Sequence, residues 1–178
     1  MRVPASAFGP GSTQEFAHYF EGASGVPVES LDDIVMWLLD CEYGSDADLF
    51  NERDLWQHPS AFERLRRGDC EDFALWAWRK LDEVGIEAEF YVGRVCDGRE
   101  GEAARQHAWV IYRVDGVDFL FEPAARSRTR MIHRLADVMD DYVPHFAVNR
   151  RFDTTAFAGC VLDLYRHRPF EPGPSQAA

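Results

Sequence analysis

Two runs of alternating apolar and polar residues flank the dipeptide Asp115-Gly116, and this pattern constrains the fold more than any other part of the sequence. The runs read HAWVIYRV before the dipeptide and VDFLFEP after it. Asp-Gly between alternating segments is the strongest short-range signal for a two-residue β-hairpin. A two-residue turn places Val114 opposite Val117, and this pairing sets the register of the whole hairpin.

The hairpin register predicts that His107 and Glu122 share one face of the sheet, because side chains alternate between the faces of a strand. The two residues are then diagonal neighbours, with Cβ atoms about 7–8 Å apart or somewhat less. Glu122 is thus within reach of one ring nitrogen of His107. Asp118 shares the face but lies opposite Arg113 near the turn, so we expect those two to pair. A slip of one residue would move Glu122 to the other face.

The first half of the chain carries three helical segments. Ser30 predicts the cap of a helix that continues through IVMWLLD. Pro59 predicts the start of a short helix that Gly68 ends. The clearest helix follows Asp69 as its N-cap, contains CEDFALWAWRKLDEV and ends at Gly85.

Strands dominate the second half. EAEFYVGRVC alternates and precedes the hairpin, whereas a helix is predicted at Ile132–Met139 and CVLDLY, from Cys160, predicts a late strand. Helices first and antiparallel strands later indicate an α+β fold. We predict one domain over residues 14–168, between a loose N-terminus at 1–13 and a disordered tail at 169–178.

Cys70 lies in the first turn of the clearest helix. The positive end of the helix dipole favours a thiolate there, and backbone N–H groups can bind an oxyanion. Asp69, Glu71 and Asp72 oppose this by raising the pKa of the thiol. Either these carboxylates point away or a cation such as Ca²⁺ neutralises them. The alternative is that acidic residues simply suit a helix N-terminus.

These placements predict a catalytic triad of nucleophile, base and orienting acid. Cys70 supplies the sulfur, His107 the base and Glu122 the acid that fixes the ring. The remaining cysteines, Cys41, Cys96 and Cys160, are interpreted as inert thiols, because their spacing matches no zinc motif.

The charge balance excludes some classes of partner. The chain has 19 Lys and Arg against 31 Asp and Glu, a net charge of −12, which disfavours nucleic acid and anionic membranes as partners. No apolar stretch is long enough to span a membrane, and no signal peptide is visible. We therefore expect a cytoplasmic protein, or a periplasmic or secreted one if a leader has been lost from this sequence.

The segments GDCEDFALWAWRKLDEVGI, QHAWVIY and FLFEP resemble the transglutaminase-like superfamily. DLWQHPSAFERLRRGDCEDFA resembles, more narrowly, the bacterial transglutaminase-like cysteine proteinases, and the similarity extends over Asp54–Pro123. The resemblance implies a papain/transglutaminase-like core, in which the helix with the catalytic cysteine packs on an antiparallel β-sheet.

The resemblance assigns a role to each matched residue. It implies that Cys70 is the nucleophile, His107 the base and Glu122 the orienting acid, where the family more often has Asp. Trp56 and Trp109 are assigned to the substrate cleft. Asp69 and Glu71 match positions at which the bacterial proteinases bind calcium.

The expected function is hydrolysis of an amide or peptide bond through a thioester acyl-enzyme, with a protein or peptide as substrate. The alternatives are a transglutaminase, a protein deamidase or a non-catalytic binding domain on the same fold. The chemistry requires no cofactor, and Ca²⁺ is the only one that the resemblance suggests.

Overall fold

A computed structural model of the protein describes residues 12–96 and 105–157. The late strand predicted from Cys160 and the tail at 169–178 lie outside the described residues, as does most of the N-terminus at 1–13. Those predictions, and the single-domain boundaries at 14–168, stay predictions.

Six α-helices lie within the described residues, and the fourth is the longest. Their bounds are α1 Leu31–Leu39, α2 Asp46–Phe50, α3 Pro59–Leu65, α4 Cys70–Glu83, α5 Arg128–Met131 and α6 Leu135–Val138. Short 3-10 helices span Phe16–Phe20 and Met139–Asp141. Ser30 caps α1 as predicted, since its hydroxyl accepts a hydrogen bond from the Asp33 backbone N–H at 3.2 Å. None of the described helices has the length and apolar character needed to cross a bilayer.

Six strands form an antiparallel sheet in the order β6-β5-β4-β3-β7-β8. Their bounds are β3 Glu87–Val95, β4 Arg105–Val114, β5 Val117–Phe121, β6 Ile132–Arg134, β7 Tyr142–Val148 and β8 Thr154–Ala156. Two further strands, β1 Glu42–Tyr43 and β2 Arg67–Gly68, pair in parallel. The predicted α+β class, with a helix on an antiparallel sheet, is confirmed.

The predicted hairpin register is also confirmed. Val114 pairs with Val117 and Arg113 with Asp118. Asp115 has φ 51° and Gly116 φ 74°, both in the left-handed region that a type I′ turn requires. The Arg113 guanidinium donates to both oxygens of Asp118, at 2.7 and 3.0 Å. Asp118 is therefore engaged at the turn, as expected.

Two helix predictions need correction. The helix predicted at Ile132–Met139 is wrong in its first part, because Ile132–Arg134 pairs with β5 as an edge strand and only the four-residue α6 follows. Backbone pairing across the sheet overrides the local helical pattern there. The helix from Pro59 ends at Leu65, earlier than predicted, because Arg66 is left-handed (φ 53°) and the chain continues into β2.

Packing of α4 on the sheet fixes the position of Cys70. The apolar face of α4 is fully buried; it comprises Phe73, Ala74, Ala77, Trp78 and Leu81. The Trp78 ring stacks on Phe90 of β3 with centroids 5.8 Å apart, and its indole N–H donates to the Ala88 carbonyl at 3.1 Å. The N-terminus of α4, with Cys70, is thereby held at the sheet.

Lys80 of α4 forms a buried ion pair with Glu63 of α3. The Lys80 side chain is fully buried, and its Nζ donates to the Ser24 hydroxyl and the Val26 carbonyl. Glu63 lies 3.6 Å from this Nζ and is 6% exposed. Burial alone would raise the pKa of Glu63, but hydrogen bonds from Ser24, Gly25 and Trp76, with the charge of Lys80, keep it below its ordinary value. Lys80 thus ties the segment before α1 to α4.

Replacing Lys80 should destabilise the fold strongly. Lys80→Met removes the cation that compensates the buried carboxylate of Glu63, so we expect a loss of about 3–5 kcal/mol in the free energy of unfolding. Arg128→Met is the matched control, because the Arg128–Asp32 pair is exposed at 51% and 66% and should contribute about 1 kcal/mol or less. Urea denaturation measures both. Equal losses in the two variants would contradict this account of Lys80.

Candidate functional site

A cavity of about 370 Å³ opens between the N-terminus of α4 and the start of β4. Acidic side chains, aromatic rings and two residues of the predicted triad, Cys70 and His107, line it. The lining residues are Tyr43, Asp46, Arg53, Asp54, Trp56, Asp69, Cys70, Glu71, Val92, Gln106, His107 and Ala108.

Cys70 is the first residue of α4 and is half-buried at the cavity wall. Its Sγ donates a hydrogen bond to Glu71 Oε2 at 3.0 Å. Burial, with the negative charges of Glu71 and Asp69, raises the pKa of Cys70 well above its ordinary value. The flanking carboxylates therefore do not point away from the sulfur, and without a compensating cation they hold Cys70 as a thiol.

His107 and Glu122 form the hydrogen bond that the hairpin register predicts. His107 Nε2 lies 2.6 Å from Glu122 Oε2, and the side chains are 8% and 12% exposed. An ionised carboxylate can only accept, so Nε2 carries the proton in this pair and Nδ1 is the other nitrogen of the ring. The Glu122 backbone N–H donates to the Met131 carbonyl at 2.7 Å, which fixes the chain just after β5.

The sulfur of Cys70 and the imidazole of His107 belong to the same cavity. Cys70 and His107 both line it. A backbone hydrogen bond from Ala108, the residue that follows His107, partly opposes the rise in the pKa of Cys70. The structure therefore brings the sulfur to the part of β4 that carries His107.

The two tryptophans assigned to the cleft have different places. Trp56 lines the cavity, next to Gln57, whose backbone N–H donates to Asp72 Oδ1 at 2.7 Å and whose amide donates to Asp72 Oδ2. Trp109 is fully buried and is absent from the lining. The assignment of Trp109 to the cleft is therefore wrong. Trp109 shares a face of β4 with His107, but its ring packs against His107 inside a second hydrophobic cluster that includes Tyr91.

The carboxylates at Asp69 and Glu71 belong to a larger acidic cluster. Oxygens of Asp46, Asp54 and Glu71 lie within 4.8 Å of one another, as do those of Asp46, Asp69 and Asp72. Burial, with the charges of Asp46 and Asp54, raises the pKa of Asp69 to about 6. Burial and the charge of Asp69 raise the pKa of Glu71 well above its ordinary value. The sequence carries no local signal for Asp46 and Asp54 as site residues, because their contact with α4 is a tertiary one.

The acidic cluster fits a hard cation such as Ca²⁺. Its side chains offer only carboxylate oxygens, the preferred ligands of calcium. Among the described residues, the buried oxygens Asp46 Oδ1 and Asp69 Oδ1 have no hydrogen-bond partner. Buried charged oxygens without partners are costly, and a bound cation would satisfy them.

The fold is similar to that of solved structures of LapG from Legionella pneumophila. The calcium-bound form matches with a TM-score of 0.50 and 18% sequence identity, over 82% of this chain and 80% of that one. The EGTA-treated form also gives a TM-score of 0.50, with 17% identity, over 82% of this chain and 77% of that one. No protein-family model matches the chain, and no curated protein is significantly similar to it.

These similarities define the fold and not the activity, because the identities are low. The chain has a fold similar to that of LapG. The sequence resemblance to transglutaminase-like cysteine proteinases is thereby confirmed at the level of the fold.

Gly93 lets β7 approach β3 next to the site. It pairs with His107 of β4 on one side and with Pro144 of β7 on the other, where the register of β3 and β7 shifts. A Cβ built on Gly93 would lie 2.1 Å from the Val143 carbonyl oxygen and 2.9 Å from the Trp109 ring. Only a residue without a Cβ fits between these strands.

Gly93→Ala should therefore displace β7 or break its pairing. We expect a loss of roughly 2 kcal/mol or more in the free energy of unfolding, the size of other overpacking changes. Gly25→Ala is the control, because its added Cβ would meet only Glu63 Oε2, at 3.5 Å. Thermal and urea denaturation measure both variants. A Gly93→Ala protein as stable as Gly25→Ala would show that β7 does not need this close approach.

Proposed function

We propose that the protein is a cysteine hydrolase that cleaves an amide or peptide bond through Cys70, His107 and Glu122. The observation that carries the proposal is the 2.6 Å hydrogen bond between His107 and Glu122 at the cavity that Cys70 lines. The LapG-like fold supports it, since it provides the helix and sheet on which this triad is expected. The substrate is a protein or peptide.

In this mechanism Cys70 transfers its proton to His107 Nδ1, and the sulfur attacks the carbonyl carbon. Glu122 accepts the hydrogen bond from Nε2, which fixes the tautomer and stabilises the imidazolium that forms. His107 then protonates the leaving amine, and a thioester joins the acyl group to Cys70. Water activated by His107 hydrolyses the thioester and restores the thiol.

The helix supplies stabilisation for the oxyanion. Cys70 is the first residue of the fourteen-residue α4, where backbone N–H groups lack partners within the helix. Such groups, with the positive end of the helix dipole, stabilise negative charge that develops on the carbonyl oxygen. Trp56 lines the same cavity and supplies an apolar wall for the substrate.

The carboxylates of Asp46, Asp54, Asp69 and Glu71 would hold Ca²⁺ beside the nucleophile. Bound there, calcium supplies positive charge that offsets the carboxylates next to the sulfur. The calcium-bound form of LapG supports this part of the proposal. The proton transfers themselves involve only Cys70 and His107.

The acyl acceptor separates hydrolysis from transamidation. Water gives hydrolysis or deamidation, whereas a primary amine gives a cross-linked or amine-modified product. We propose water. Incubation with a peptide library, with and without a labelled primary amine, tests this choice by mass spectrometry: amine incorporation would show a transglutaminase, and a mass increase that matches Gln to Glu would show a deamidase.

Cys70→Ala should abolish turnover without unfolding the domain, because the half-buried sulfur makes one side-chain hydrogen bond, to Glu71. The assay is cleavage of a peptide library in the presence of Ca²⁺, with circular dichroism as the check on folding. Cys96→Ala is the matched control, since Cys96 is an exposed free cysteine outside the cavity lining. Turnover retained by Cys70→Ala would disprove the proposal.

A bound cation should stabilise the protein through the acidic cluster. At a Ca²⁺ concentration about 100 times Kd, the expected gain is about 2.7 kcal/mol, seen as a higher Tm that EGTA reverses. Asp46→Asn should lose most of that gain, yet it keeps an oxygen to accept the Leu55 backbone N–H. Asp32→Asn, at an exposed surface pair, should keep the full gain. A Tm that does not respond to Ca²⁺ would refute the calcium site.

A further inference from the structure

Glu122 accepts a second hydrogen bond at the oxygen that holds His107. The Tyr142 hydroxyl donates to Glu122 Oε2 at 3.1 Å, and His107 Nε2 lies 2.6 Å from the same oxygen. Tyr142 is the first residue of β7, which pairs with the side of β3 remote from β4. The hydroxyl therefore links Glu122 to a strand that the hairpin does not include.

We propose that Tyr142 is a positioning residue that acts on His107 through Glu122; this inference rests on the proposed function. Glu has one more rotatable bond than Asp, and its side chain loses more conformational entropy when it is held in one geometry. A donor on a neighbouring strand restricts the Glu122 carboxylate and keeps Oε2 directed at His107. Groups that orient the partner of a reacting side chain commonly have this role.

The packing around Tyr142 keeps its hydroxyl in place. Its ring contacts Trp109 edge-on, with centroids 5.2 Å apart and planes at 67°. Trp109 in turn lies nearly parallel to His107, with centroids 6.3 Å apart and planes at 23°. The buried indole of Trp109 therefore packs against both Tyr142 and His107. Its role is to support these two side chains and not to line the cleft.

Tyr91 provides a matched comparison within the same aromatic cluster. It is 3% exposed, its ring stacks on Trp109 at 5.9 Å, and its hydroxyl donates to a carboxylate, Glu89 Oε2, at 2.9 Å. Glu89 pairs with Ile111 of β4 and not with His107. Tyr91→Phe and Tyr142→Phe therefore remove the same kind of hydrogen bond, but only the second removes it from the carboxylate that holds His107.

The direct test is the nuclear magnetic resonance signal of the His107 Nε2 proton in protein labelled with ¹⁵N-histidine, assigned by its loss in His107→Gln. Tyr142→Phe should shift this signal, because the shared acceptor oxygen loses one donor. Tyr91→Phe should leave it in place. If Tyr142→Phe leaves the signal unchanged, or if both variants shift it equally, the proposal is overturned.

A kinetic test asks whether Tyr142 acts through Glu122. The rate constant of Cys70 alkylation by iodoacetamide, measured with Ca²⁺ present, should fall roughly three- to tenfold in Tyr142→Phe, the size of the typical net contribution of one hydrogen bond. In a Glu122→Gln background the same substitution should change the rate less than about twofold, because residues that share one partner are not additive. A loss of equal size in both backgrounds would contradict the proposal.

Failure of the proposed function gives a different pattern. If Cys70 is not a nucleophile, peptide turnover is absent or survives in Cys70→Ala, but the His107 signal still responds to Tyr142→Phe. If Tyr142 has no positioning role, turnover depends on Cys70 and the signal does not respond to Tyr142→Phe.

Discussion

The packing of α4 against β3 is the interaction on which the rest of the structure depends. Trp78 and Phe90 stack at the centre of this contact, and the indole hydrogen bond to Ala88 fixes the helix along the strand. Because β4 is the next strand in the sheet, the same contact determines where the start of α4 meets His107. The N-terminus of α4 and the β4–β5 hairpin line one cavity only because this buried aromatic layer holds the helix against the sheet.

The cavity concentrates negative charge in a way that is unfavourable by itself. Asp46, Asp69 and Asp72 bring their oxygens within 4.8 Å of one another, and burial raises the pKa of each of the three. Repulsion among buried carboxylates opposes folding unless protons or a cation balance it. Burial, with the negative charges of Glu71 and Asp69 in the same cluster, raises the pKa of the Cys70 thiol. The balance of charge in the cluster therefore governs both the stability of the fold and the protonation of the sulfur.

Local patterns in the sequence predict the hairpin and the ends of α4, and the hairpin register alone places His107 and Glu122 side by side. The register followed from Asp115-Gly116, whose left-handed conformations are dictated by the turn. Strand β7 was not predicted, and with it the contact of Tyr142 with Glu122 was missed. Pairing between strands that are distant in sequence leaves no local signal. The contact of Asp46 with α4 is also between distant segments, so the sequence does not predict it either.

The hairpin that carries the site places a limit on how its length can change in evolution. His107 lies on β4 and Glu122 directly follows β5, and they meet because the number of residues between them keeps both on one face of the sheet. A single residue inserted within Val117–Phe121 would reverse the faces of all that follows, unless a bulge absorbed it. Insertions in this strand should therefore be found in even numbers, whereas the exposed end of the hairpin at Val114 is the part of it that accommodates extra length.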